Sequence, residues 1–264
     1  MEAPWLAMGY NLGAIVLFMS MVWGLSVVLK NASIVDGFWG PGFVLVAWLT
    51  WGTGGGYGPR GILVAVLVTL WGGRLAAHIA LRNRGHGEDR RYAAWRARHG
   101  PRFWWVSFFT VFMVQALFLW IISLSIQMAG TSPRPAQFTW LDGLGTLVWT
   151  AGFLVEAVAD HQLSRFKKRP ENAGKVMREG LWAYSRHPNY FGECLAWWGI
   201  FLVALSTPYG WWVLISPATI TVLLLKVSGV TLLERNLLET RPSYREYMRA
   251  TSAFVPWPPR KDPS

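Results

Sequence analysis

Seven apolar stretches, each near the length of a membrane crossing, constrain this chain more than any other feature. They run over Ala7–Leu29, Ile34–Trp51, Gly61–Leu81, Phe103–Ala129, Trp140–Ala159, Tyr190–Leu205 and Tyr209–Val227. A spanning helix needs about 20 largely apolar residues because the hydrocarbon core is about 30 Å thick. The second stretch is rich in glycine and the sixth is short, at about 16 residues. Apolar runs of that size also occur as buried helices, but seven of them in 264 residues leave too little polar surface for a soluble globule. Composition agrees: 53% of the residues are hydrophobic and only 15% are charged, against about 25% charged in soluble domains. Disorder is excluded by the same figures. The single cysteine, Cys194, excludes a disulfide scaffold and a zinc site built on paired thiolates. The prediction is one all-α polytopic bundle over residues 1–264, with about seven transmembrane helices and no internal repeat or linker.

The net charge of +11 raises nucleic acid as a partner, and the placement of the basic residues answers it. Of the 25 Lys and Arg, 22 fall in the first, third and fifth loops and the C-terminal part, on one side of the bundle. Positive loops stay cytoplasmic, which predicts an outer N-terminus and a cytoplasmic C-terminus. The bilayer, with its anionic headgroups, is then the partner of this charge, and nucleic acid is not. The first stretch is too long, and lacks the basic start and cleavage site, for a removable signal peptide. The same loops also hold most of the acids and four of the five histidines. Polar chemistry crowded on one face points to an enzyme acting on a hydrophobic small molecule.

Ionisable groups at membrane depth mark function or a water-filled cavity by default. Asp36 begins the second stretch, and Arg74 lies within the third. Glu156 and Asp160 stand four residues apart on one face of the fifth, and Glu193 enters the sixth. A structural ion pair, Arg74 with Asp36 or Glu156, is the alternative reading. The densest signal is Gly180-Leu181-Trp182-Ala183-Tyr184-Ser185-Arg186-His187-Pro188-Asn189-Tyr190-Phe191-Gly192-Glu193. Pro188 suits the first position of a helix, whose N-terminus behind Arg186 and His187 attracts anions. Asn189, Glu193 and Trp197 then recur every fourth residue as one stripe. Arg165, Lys167, Lys168 and Arg169 form a basic collar upstream, read as phosphate-binding or as topology. The amphipathic stretch from Glu234 to Arg249 lies along the interface, or folds over the cytoplasmic mouth so that Glu234, Tyr244 and Tyr247 complete a pocket wall.

Together these residues resemble the steroid 5α-reductase-like membrane proteins, and in particular their bacterial relatives. Gly180–Glu193 looks like the family signature, Asn83-Arg84-Gly85 like a triplet after its third helix, and Asp160 falls where it carries a cofactor-binding Asp. Glu246-Tyr247, ahead of Pro256, resembles its terminal Asp-Tyr and Ile-Pro elements. The resemblance implies a seven-helix bundle in a bacterial cell membrane. NADPH would lie in a cytoplasmic-side cavity, and hydride would pass to a carbon–carbon double bond conjugated with a carbonyl in a lipid or steroid-like substrate. It implies cofactor binding by Asn83, Arg84, Asp160, Lys167, Tyr184, Arg186, His187, Asn189, Tyr190, Glu193, Trp197 and Glu234, with residues 82–102, 160–189 and 228–264 forming the mouth. There are departures. Trp71 precedes Arg74 where those enzymes place a catalytic Tyr, Val35-Asp36 replaces their Gln-Glu pair, and Glu234-Arg235 stands near their paired His. The proton donor is therefore sought among Asp36, Arg74, and Tyr92 with Glu88.

Arg186-His187-Pro188-Asn189-Tyr190-Phe191-Gly192 also looks like an element of isoprenylcysteine carboxyl methyltransferase-like enzymes. That likeness implies S-adenosylmethionine held by Arg186 and His187, with Glu234 on its amino group. A non-catalytic lipid-binding protein is the third reading. No metal is expected, because the histidines lack clustered ligand spacings. Cys194 reads as a small core residue and His78 as a packed or interfacial one.

Overall fold

The computed structural model describes residues 4–227 and 229–260, and among them it is all helical, with no strand. Its helices are α1 (Pro4–Val28), α2 (Trp39–Thr53), α3 (Gly58–Asn83), α4 (Arg90–His99), α5 (Phe103–Ser107), α6 (Val114–Ile122), α7 (Leu124–Thr131), α8 (Trp140–Lys167), α9 (Pro188–Leu205), α10 (Ile215–Val222), α11 (Val230–Thr240) and α12 (Tyr244–Ala250). Six segments are long and apolar enough to cross a membrane: Trp5–Val28, Ala32–Thr53, Gly58–Asn83, Arg90–Ile122, Trp140–Lys167 and Gly210–Val227. The sixth expected stretch is helical as well, as the 18-residue α9. Its first two turns carry Asn189 and Glu193, which dilute its hydropathy below that of the others.

Three expected spans are not simple α-helices; the one over Tyr209–Val227 is a 3₁₀ turn over Gly210–Leu214, α10, and a π-helical turn over Leu223–Val227. Ahead of α2, Ala32–Phe38 is a 3₁₀ turn, capped where the Asn31 side chain accepts from the Ser33 N–H at 3.0 Å. The expected span over Phe103–Ala129 is α5, a π-helical turn over Phe108–Met113, then α6 and α7 divided at Ser123. The Ser123 hydroxyl donates back to the Trp120 carbonyl at 2.8 Å, a local bond that competes with the helical ladder.

Contacts divide the chain into two compact units. The first comprises residues up to 143 together with 201–216. Its helices α2 and α3 meet at Gly40 and Gly72, where a Cβ on Gly40 would sit 2.2 Å from the Gly72 carbonyl oxygen, so only glycine admits the approach. Its interior is partly polar. The Asn11 amide donates to Thr50 Oγ1 at 2.9 Å and Gln127 Oε1 at 3.2 Å, and Gln127 donates to Ser123 at 2.8 Å. Arg60, in the first turn of α3, is fully buried. It forks onto Asp142 at 2.8 and 3.3 Å and donates to the carbonyls of Pro135 and Gln137. Removing either charge would strand the other in low dielectric, so this pair fixes the connection before α8.

The second unit comprises residues 144–200 and those from 217 on. A glycine seam joins its parts of α8 and α9. A Cβ on Gly152 would lie 2.5 Å from the Gly192 oxygen, one on Gly192 2.5 Å from the Glu156 nitrogen, and one on Gly199 2.5 Å from the Trp149 nitrogen. Small residues at such a seam let backbones touch, which is how helices associate without a hydrophobic driving force between them. Ala159, Met177 and Trp182 form an apolar cluster beside it, sealed by the Trp182 indole N–H donating to the Ala159 carbonyl at 3.1 Å.

Candidate functional site

In the first unit the expected catalytic residues Asp36, Tyr92 and Glu88 come together, and α4 is what delivers them. Asp89 caps α4 by accepting from the Arg91 N–H at 2.9 Å, and Gly100, at φ +53°, ends it. The segment before α4 is held to the 3₁₀ turn. The Ala32 N–H donates to Glu88 Oε1 at 2.7 Å and the Asp89 N–H to Ser33 Oγ at 3.2 Å. So placed, the Tyr92 hydroxyl donates to Asp36 Oδ1 at 2.8 Å, and Arg91 donates to Asp36 Oδ2 at 3.2 Å. Asp36 therefore pairs with Tyr92 and Arg91, and an Arg74–Asp36 pair is not formed; Arg74 sits half-buried along α3.

Glu88 has a different part. Burial opposes its charge, but the fork from Arg96 at 2.9 Å and the Ala32 N–H outweigh this and hold its carboxyl below the ordinary range. An ionised carboxylate has no proton to give, and the Glu88 carboxylate holds the Ala32 N–H and the Arg96 fork. Two residues not singled out in the sequence complete the cluster. Gln115 of α6 donates to the Tyr92 oxygen at 3.4 Å, while its own Oε1 accepts from the Trp39 indole N–H. Indole is donor-only, so Trp39 fixes which end of the Gln115 amide faces Tyr92. A lone Gln inside an apolar run was the available signal.

In the second unit Asp160 and Glu156 are both buried on one face of α8. The glycine seam brings Asn189 against them, and its amide donates to Asp160 Oδ1 at 3.1 Å. The Asn189 carbonyl oxygen is buried with no hydrogen-bond partner among the described residues. Below it on α9, Glu193 is half-buried and Trp197 buried. Lys167, at the end of α8, is exposed, as is Tyr184. Asn83 and Arg84, at the end of α3, are exposed and belong to the first unit.

Arg186, His187 and Glu234 also converge. Arg186 donates to Glu234 at 2.6 and 3.2 Å and to the carbonyls of Met248 and Thr251 at 3.1 and 2.6 Å. His187 Nε2 lies 3.1 Å from Glu234 Oε1, and its ring stacks on Tyr190 at 5.6 Å. Burial works against the charge on Glu234, but the bonds and charges of His187 and Arg186 prevail and hold its carboxyl down to about 2. Facing an ionised acceptor, Nε2 of His187 carries the hydrogen. Tyr244 and Tyr247 are buried, and their phenols are pushed up by that burial, Tyr244 also by the charge of Glu234. Tyr247 donates to the carbonyls of Trp182 and Ser185. The end of the C-terminal stretch packs on the Gly180–His187 segment, through Tyr247 on Trp182 and Arg186 on the carbonyls of Met248 and Thr251.

Fold and clusters together define a class, a polytopic helical membrane protein with polar, hydrogen-bonded clusters in its helical units. The chain belongs to the family described as "Protein of unknown function (DUF1295)", whose model matches residues 22–251. It is similar to an uncharacterized protein of Schizosaccharomyces pombe, 27% identical over 90% of this chain and 76% of that one. It is also similar to 3-oxo-5-alpha-steroid 4-dehydrogenase 1 of Bos taurus, 37% identical over 25% of this chain and 26% of the relative. Steroid 5-alpha-reductase DET2 of Gossypium hirsutum is 37% identical over 24% of each chain. The chain thus matches about a quarter of the length of these reductases. No solved structure matches it.

Proposed function

We propose that this protein is a membrane-embedded, NADPH-dependent reductase acting on a carbon–carbon double bond conjugated with a carbonyl, in a lipid or steroid-like substrate. The C-terminus and the basic loops face the cytoplasm in this reading, where NADPH is available. The observation that carries it is the Asp160–Asn189 pair. Asp160 pins the Asn189 amide nitrogen, leaving a buried carbonyl oxygen that lacks a donor. An unmet buried acceptor is costly, and a carboxamide N–H or a ribose hydroxyl would meet it, so the residues fit a nicotinamide cofactor. The names of the reductase relatives support the same chemistry.

NADPH, when bound, supplies the hydride. Asn189 and Asp160 orient it, Glu193, Trp197 and Tyr190 flank it, and Arg84, Asn83 and Lys167 are the groups proposed for its phosphates and hydroxyls. Tyr92 serves the substrate carbonyl, whose oxygen gains negative charge as the conjugated bond is reduced and is stabilised by a hydroxyl donor. In the resting arrangement the Tyr92 hydrogen is directed at Asp36. With a proton on Asp36 the direction reverses, and the phenol hydrogen is free to turn to the substrate. Gln115 steadies the phenol oxygen throughout.

The methyltransferase reading requires Glu234 to hold an amino group. Its two oxygens already accept from Arg186, and one also lies against His187, which disfavours that reading. Thermal unfolding with each cofactor tests the choice. NADPH should stabilise the purified protein far more than S-adenosylmethionine, and Asn189→Ala and Glu193→Ala should each weaken that response. The opposite cofactor order, or unchanged NADPH affinity in both variants, overturns the proposal.

A further inference from the structure

Within the second unit lies a cavity of about 300 Å³ that none of the chemistry above uses. Its lining includes Arg186, Arg249, Thr251, Ser252, Trp257 and Arg260, and no acidic side chain. The walls are laced by backbone bonds. The Arg186 N–H donates to the Ser252 carbonyl at 2.9 Å, the Trp257 N–H to Tyr184 at 2.9 Å, and the Arg260 N–H to Ala250 at 2.8 Å. Arg186 is neutralised by Glu234. Among the described residues, neither Arg249 nor Arg260 has a carboxylate partner. Arg249 and Arg260, both exposed, therefore line one cavity with no carboxylate partner among the described residues, and an anion entering between them would meet two like charges.

We propose that this cavity binds a phosphate ester. Two guanidinium forks match a dianionic phosphate and its bidentate geometry better than a single carboxylate. The cavity is larger than one phosphate group, and Trp257 offers a flat apolar face for what the phosphate is attached to. The ester is either a soluble nucleotide or a phospholipid headgroup. The site stands on the cavity and its charges, and does not depend on the reductase reading.

The test uses the full chain in detergent and in nanodiscs, with Arg249→Gln, Arg260→Gln and the double variant. Arg98→Gln, an exposed arginine of α4, serves as the control. If the source is soluble, adenosine 2′,5′-bisphosphate raises the unfolding midpoint, and each pocket variant loses about ten-fold in affinity, the value of one charge-assisted bond, while Arg98→Gln does not. If the source is lipid, nanodiscs containing phosphatidylglycerol stabilise the protein over pure phosphatidylcholine, and the double variant loses that difference. No response to the bisphosphate, inorganic phosphate or phosphatidylglycerol overturns the proposal. So does an equal response from the wild type and the double variant. NADPH binding that depends on Asn189, with no effect of Arg249→Gln or Arg260→Gln on the response to the bisphosphate, inorganic phosphate or phosphatidylglycerol, would leave the reductase reading standing while this one fell.

Discussion

Replacing Glu234 by Gln preserves the shape of the side chain and removes its charge, leaving the Arg186 guanidinium, 8% exposed, with neutral oxygen acceptors in place of its ionised partner. Two routes give the cost. The carboxyl is held at about 2 against an ordinary 4.5, which at about 1.4 kcal/mol per pH unit amounts to about 3 kcal/mol of stability at neutral pH. Breaking a buried pair by removing one partner costs about 3–5 kcal/mol in general. The routes agree, and 3 kcal/mol corresponds to a midpoint lowered by about 6–12 °C for a chain of this size. The assay is thermal unfolding followed by the fluorescence of the 18 tryptophans. The sign with pH follows from the lowered carboxyl. Its stabilisation is complete above about 4.5 and is lost as the pH falls toward about 2. The wild type should thus lose its advantage over Glu234→Gln across that window. Arg186→Met combined with Glu234→Leu should recover much of the loss, because an apolar pair carries no desolvation cost. A shift of Glu234→Gln below about 2 °C at neutral pH, with the gap to wild type constant between pH 2 and 4.5, would refute the clamp.

Gly192→Ala places a methyl 2.5 Å from the Glu156 backbone nitrogen. Overpacking of this kind costs about 1–3 kcal/mol. By parting α8 from α9 it should also weaken NADPH affinity, which a titration of the purified variant would show. Tyr92→Phe should lower kcat by about 10²-fold, the usual worth of a general acid, with the affinity for NADPH unchanged. Gln115→Leu, acting through Tyr92, should lower kcat less and displace its pH profile, whereas a purely structural Gln115 would alter stability and leave that profile in place.

Much of the fold was legible because its signals are local. The apolar stretches, Pro188 at the start of α9 and the cap residues each act within a turn or two of sequence. The division at Ser123 and the π-helical turn at Phe108–Met113 were not legible, since an apolar run looks the same whichever helical ladder it forms. The candidate site residues could be read from the sequence as types but not as partners. Asp36 and Tyr92 lie 56 positions apart, and Arg186 and Glu234 lie 48 apart. Arg60 and Asp142 are 82 apart, and as single letters each reads as an ordinary charge at the end of a span. Gln115 stood out only as a lone polar residue in an apolar run, and its partners Trp39 and Tyr92, 76 and 23 positions away, could not be read from the sequence.

Partnership also separates the two kinds of polar residue that a membrane bundle holds. Arg60 with Asp142 and Arg186 with Glu234 are closed sets, in which carboxylate oxygens meet guanidinium donors and the remaining donors meet backbone carbonyls. Groups so completely satisfied have little left to offer a ligand and act on the scaffold. Asn189 is different: its nitrogen is committed and its oxygen is not. Tyr92 is different in another way, since its one hydrogen has two arrangements that exchange with the protonation of Asp36. In a medium where an unmet polar group costs several kcal/mol, a group left open persists when something else completes it. In the proposed reading, Asn189 and Tyr92 are on this ground the groups whose partners come from outside the protein.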